Sequence, residues 1–178
     1  MRKMKTKELA LCALFAALNA ILSQISIPIG PVPMNLAHIS TFIAAGLLGA
    51  KYGALSQFLF VFMGAVGLPV FSGFMGGVSR VLGPTGGYIV AYIGCAFVSG
   101  LIIDRFGKST KILIMALYAG WIVVYTFGTL WYAYVAHTGF IASLLVCVVP
   151  FLLGDALKTL LSAFLITRLS SIVQIRKR

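Results

Sequence analysis

Residues 112–158 read ILIMALYAGWIVVYTFGTLWYAYVAHTGFIASLLVCVVPFLLGDALK. From Ile112 to Gly154 there is no lysine, arginine, aspartate or glutamate, and then Asp155 and Lys158 arrive three residues apart. The charge-free stretch suffices for two passes across a hydrocarbon layer about 30 Å thick, at roughly 20 residues per pass. The same pattern extends outward over the chain, which is 61% hydrophobic and only 10% charged. Its mean hydropathy is +1.06, outside the range of soluble domains. Composition therefore predicts an all-α membrane protein.

Charges and breaker residues divide the chain. We read six transmembrane helices in one bundle, at about 9–27, 39–50, 52–67, 88–103, 112–135 and 141–169, forming a single transmembrane domain over 1–178. Between the first two spans lies PIGPVPMNLAH, whose prolines and glycine do not sustain a helix. Between the third and fourth lies LPVFSGFMGGVSRVLGPTGG, rich in Gly and Pro yet apolar. Such backbone persists at membrane depth only where it packs on protein or lines a cavity. With the N-terminus inside, Arg2, Lys3, Lys5, Lys7, Lys51, Arg105, Lys108, Lys111, Arg168, Arg176, Lys177 and Arg178 are cytoplasmic. That is twelve of the fourteen basic residues, so the positive-inside rule places both termini in the cytoplasm and the two Pro/Gly-rich loops outside.

A net charge of +11 does not indicate nucleic acid, because the basic residues sit at segment ends with no aromatic-studded groove between them. Cys12, Cys95 and Cys147 lie in separate apolar segments and read as small buried hydrophobes. The GKS at 107–109 resembles the end of a phosphate-binding loop, but position 102 is Ile where that motif needs glycine. With His38 and His137 the only histidines, there is no paired-carboxylate or metal-ligand spacing. The chain therefore reads as a non-enzyme without cofactor or metal.

Asp155 and Lys158 are the informative pair. Thirteen residues before Arg168, Asp155 stands roughly 20 Å along the helix, in the outer half of the bilayer. Spacing of i, i+3 directs both side chains to one face, and a charge near the membrane centre costs about 2.5–3.5 kcal/mol, so that face points inward. Either the pair is a salt bridge tying the last helix to the bundle, or it lines an outward-facing pocket. Arg80, the only other charge on that side, favours the pocket unless it snorkels to the interface.

Two glycine and alanine patterns add candidates. GPTGGY, 83–88, opens the fourth helix, and bare backbone at Gly86 and Gly87 either receives an anionic or planar group or serves an ordinary turn and close packing. Tyr88, with Trp121, Tyr125 and Trp131, is available as an apolar wall, although aromatics in membrane spans more often face lipid or core. In ALCALFAALNA, Ala13 and Ala17 form an AxxxA pair that suits close helix approach, within the bundle or to another subunit.

Together, GPTGGY before the fourth span, PFLLGDALK on the sixth, the PVPMN loop and the AxxxA first helix resemble the biotin-specific S component of energy-coupling factor (ECF) transporters. The resemblance spans essentially the whole chain. It implies a multi-pass protein of the prokaryotic cell membrane that captures biotin from outside. It also implies partners: a membrane-embedded T component and two ABC-type ATPases, with Ala13 and Ala17 facing the T component. Biotin carries two ureido N–H groups, a carbonyl, an apolar thioether ring and a carboxylate tail. On this reading Asp155 accepts from the ureido, and Lys158 or Arg80 meets the carboxylate or balances Asp155. Asn35, Gly86 and Tyr88 complete the candidate site. An S component for another vitamin and an ion-coupled carrier acting alone are the alternatives.

Overall fold

The computed structural model describes residues 6–28 and 30–171. The terminal cations Arg2, Lys3, Lys5, Arg176, Lys177 and Arg178 lie outside the described residues. The first helix, α1, spans Thr6–Gln24. It ends short of the expected 27 because the chain turns extended at Ser26–Ile27 (β1), which pairs antiparallel with Met34–Asn35 (β2). Prolines 28, 31 and 33 occupy the intervening turn, where their missing N–H groups leave no ladder position unfilled.

The second and third expected spans are one element, α2 (Ala37–Ala65), broken at a single residue. Gly49 adopts φ 80, ψ −178, which separates arms 37–48 and 50–65. The sequence places this boundary at charged Lys51, whereas the chain turns two residues earlier, where glycine makes a positive φ accessible. The break frees the first amides of the second arm. The Ala50 N–H donates to the Asp104 carboxylate at 3.1 Å, so a side chain from the expected fourth span serves as an N-cap for the second arm of α2. A Cβ on Gly49 would lie 2.7 Å from both Asp104 oxygens. Gly49→Ala is expected to destabilise the protein by about 1–3 kcal/mol through strain and displacement of that cap. A thermal midpoint in detergent equal to wild type would show that the bend is not held by these contacts.

After a one-turn helix α3 (Val78–Leu82) come α4 (Gly86–Phe106) and α5 (Thr110–Val135), close to the expected fourth and fifth spans. The last span is not one continuous helix. It comprises α6 (Phe140–Cys147), a tight turn at Val149–Phe151 and α7 (Leu152–Leu169). Pro150 is the cause, since its nitrogen has no hydrogen to donate to the preceding turn and its ring crowds it. Asp155 consequently sits in the first turn of α7 rather than mid-helix. There the positive end of the helix dipole favours a carboxylate, which lowers the cost of a charge among apolar neighbours.

The bundle centres on α2, with α1 and α4 against it, α5 on α4, and α7 on α2 and α5. Phe42, Cys95, Leu113, Leu117 and Ile166 fill the interior completely. The three cysteines are buried and unpaired, as their separation predicted. Leu14, Ile21, Ile122 and Leu153 are exposed around the outside, an arrangement that suits lipid and not water. Among the described residues, five helices are long and apolar enough to cross a membrane: α1, α2, α4, α5 and the α6–α7 segment.

Candidate functional site

A cavity of about 550 Å³ opens where the β1–β2 hairpin, the loop at 66–77, α3 and the N-terminal turns of α4 and α7 converge. Asp155, Lys158, Arg80, Asn35 and Tyr88 all line it, so residues far apart in sequence meet on one wall system. Gly86 does not line it. Its backbone lies against the Val81 carbonyl, too close for any Cβ, so its bareness serves the packing of α4 on α3.

Asp155 and Lys158 form an ion pair at 2.9 Å with side chains only 7% and 6% exposed. The second carboxylate oxygen of Asp155 accepts from the Tyr125 hydroxyl at 2.6 Å. Below them, the Trp121 indole N–H donates to Thr159 at 2.9 Å, and the Thr159 hydroxyl donates to the Asp155 carbonyl at 2.8 Å. Trp121 and Tyr125 stack with ring centroids 5.2 Å apart, and the Lys158 ammonium lies 5.9 Å from the Trp121 ring centre. These bonds lock the rotamers of the pair. Each Asp155 oxygen still has a lone pair free for a donor from the cavity.

Arg80 differs. It is half-buried on α3 at the cavity wall, and its guanidinium has no hydrogen-bond or ion-pair partner among the described residues. Asn35 is already engaged. Its amide donates to Ser72 at 2.8 Å, and its carbonyl oxygen accepts from the Ala37 N–H at 3.1 Å and the Tyr92 hydroxyl at 3.3 Å. It therefore ties the hairpin to the 66–77 loop. The same loop is held from α1, where Gln24 donates to the Val70 carbonyl at 3.0 Å and accepts from the Phe74 N–H at 2.8 Å. Ser23 also donates to Val70.

Tyr88 is buried and bonds Thr129 at 2.9 Å, its ring seated against Gly128 where a side chain would collide. Of the aromatics on α5, Trp121 and Tyr125 line the cavity, whereas Trp131 packs on Gly87 and donates to the Gly83 carbonyl at 2.9 Å. Sequence reasoning did not place His38 and Tyr92 at the site. The His38 ring lies 4.2 Å from Trp121 and 4.5 Å from Tyr92, extending the aromatic wall. The available signal was spacing, since His38 follows Asn35 by three residues into the first turn of α2.

Chemically, the cavity offers one carboxylate with acceptor capacity, one ammonium already paired, one guanidinium unpaired and an aromatic wall. That set suits a small molecule with N–H donors, a ring and an anionic group, and the volume falls in the usual small-ligand range. Ala10, Ala13, Leu14, Ala17 and Ile21 stand on the outward side of α1, away from this cavity.

Comparison with known proteins identifies the family. The BioY family profile matches residues 1–175. The probable biotin transporter BioY of Pyrococcus horikoshii is 39% identical over 93% of this chain and 98% of its own. The biotin transporter BioY of Thermotoga maritima is 36% identical over 93% and 97%. A crystal structure of the S-component for biotin from an ECF-type ABC transporter superposes with a TM-score of 0.85 at 34% identity, covering 95% of both chains. The chain belongs to the BioY family.

Proposed function

We propose that this chain is the biotin-capturing S component of an ECF-type transporter, a single transmembrane domain with both termini in the cytoplasm. The observation that carries the reading is the buried Asp155–Lys158 pair sharing a cavity with the unpaired guanidinium of Arg80. Asp155 accepts from the ureido N–H groups, held in register by Tyr125 and Lys158. Lys158 is committed to Asp155, so Arg80 takes the valerate carboxylate in a charge-assisted, bidentate bond. Trp121, Tyr88 and His38 enclose the apolar rings. Asn35 positions the loops around the ligand and is not itself a free donor.

The topology is supported by charge placement. Lys7, Lys51, Arg105, Lys108, Lys111 and Arg168 are all exposed at the end of the bundle opposite the cavity. That end is cytoplasmic by the positive-inside rule, so the cavity faces outward, with six crossings when the arms of α2 are counted separately. The exposed small-residue face of α1 at Ala13 and Ala17 is free for the T component, which with two ABC-type ATPases would supply the energy for uptake.

The test is titration of the purified protein with biotin and with other vitamins, following fluorescence of Trp121 in the cavity wall. Saturable one-to-one binding of biotin alone is expected. Equal or tighter binding of a different vitamin would overturn the assignment. The tethered 66–77 loop adds a kinetic expectation. Loss of the Gln24 bonds to Val70 and Phe74, at about 0.5–1.5 kcal/mol each, should make Gln24→Ala release labelled biotin roughly fivefold to 150-fold faster in a chase with unlabelled biotin. An unchanged release rate would mean that this loop does not gate the cavity.

A further inference from the structure

A second cavity, of about 370 Å³, lies between α5 and α7 at the end of the bundle opposite Asp155, and shares no lining residue with the first. Its walls are apolar: Ile114 from α5, and Leu160, Ala163 and Phe164 from α7. Its mouth is polar, made by Thr110 in the first turn of α5 and Arg168 in the last turn of α7. From Leu160 to Arg168 the groove runs about 12 Å along the helix, with charge at the bundle end and hydrocarbon toward its middle. The Arg168 guanidinium lies 5.4 Å from the Phe164 ring centre, over the apolar wall.

Among the residues lining the groove, the one charge is the cation Arg168. Arg168 is exposed, and Lys108 and Lys111, both exposed, flank Thr110. No side chain caps the N-terminus of α5, so its first amides also present positive potential. The acid of this region, Asp104 in the last turn of α4, interacts with Lys108 and accepts from the Ala50 N–H on α2, and it does not line the groove. We propose that this groove is a binding site for one anionic phospholipid, with its acyl chain along Leu160 and Phe164 and its phosphate at Arg168, Thr110 and Lys111. The chemistry requires both parts, an apolar chain and an anion joined at the membrane interface, and basic clusters at such interfaces attract anionic headgroups. The site does not depend on what the larger cavity binds.

The test uses the full chain in phosphatidylcholine-containing micelles, with its thermal midpoint followed as phosphatidylglycerol is added. A saturable upward shift is expected, larger than with added phosphatidylcholine. It should be lost in R168Q/K111Q, lost in Leu160→Trp, which blocks the apolar wall and keeps the charges, and kept in the distant pair K7Q/K51Q. Equal shifts with both lipids, or equal loss in both charge-removed pairs, would overturn a defined site. The same shift from inorganic phosphate would identify a free-anion site instead. A changed oligomeric state in Leu160→Trp with the lipid response intact would assign the groove to a second copy of the chain.

Discussion

Asp155→Asn is expected to weaken biotin binding roughly tenfold to a hundredfold, the equivalent of losing one or more charge-assisted bonds of about 1.5–3 kcal/mol. Asparagine keeps the shape but replaces one acceptor oxygen with a donor. That donor faces either the Lys158 ammonium or the Tyr125 hydroxyl, both of which now give hydrogens to the carboxylate. It also leaves Lys158 as an unpaired buried charge, at a cost to folding of about 3–5 kcal/mol. A single variant therefore confounds binding with stability. Asp155→Asn with Lys158→Met removes both charges and should recover much of the thermal midpoint while binding stays lost. If the double variant bound biotin as wild type does, the pair would be a structural tie between α7 and the bundle.

Arg80→Gln is expected to weaken biotin roughly tenfold or more and to leave biotin methyl ester almost unaffected. On the proposed reading only the carboxylate calls on the guanidinium, so the ratio of acid to ester affinity should collapse in the variant. Isothermal titration of both ligands against both proteins measures this directly. Because Arg80 has no protein partner among the described residues, its replacement strands no buried charge and should not lower stability. A variant that lost acid and ester affinity equally would place Arg80 on the rings or the loops rather than on the carboxylate.

The sequence made some of this legible for physical reasons and concealed the rest for equally physical ones. Helices at α1, α4 and α5 follow from apolar length, which membrane thickness dictates. Asp155 and Lys158 declared themselves because charges within an apolar segment are too costly to be idle. The Gly49 bend was hidden, since its reason lies in Asp104, more than fifty residues along the chain. Pro150 was visible, yet the continuous apolar run around it read as one span. Trp121, Tyr125, Tyr92 and His38 could not be sorted from lipid-facing aromatics by type alone; only the converging helices separate them. Gly86 carried a true signal of close approach, but the approaching group is the Val81 carbonyl.

The ion pair has one further consequence, for voltage. Among the residues lining the large cavity, Asp155 is the one acid and Lys158 and Arg80 are the cations, so the empty site carries one net positive charge. On the proposed reading, a biotin carboxylate on Arg80 cancels it. Moving the empty site through the membrane field therefore changes its energy by up to about 2.3 kcal/mol per 100 mV, favourably in one direction and unfavourably in the other, whereas moving the filled site changes it by nothing. In vesicles, an imposed potential should alter the return of the unloaded protein and leave the loaded step indifferent. Occupancy, and not motion alone, would then decide when this protein is a voltmeter.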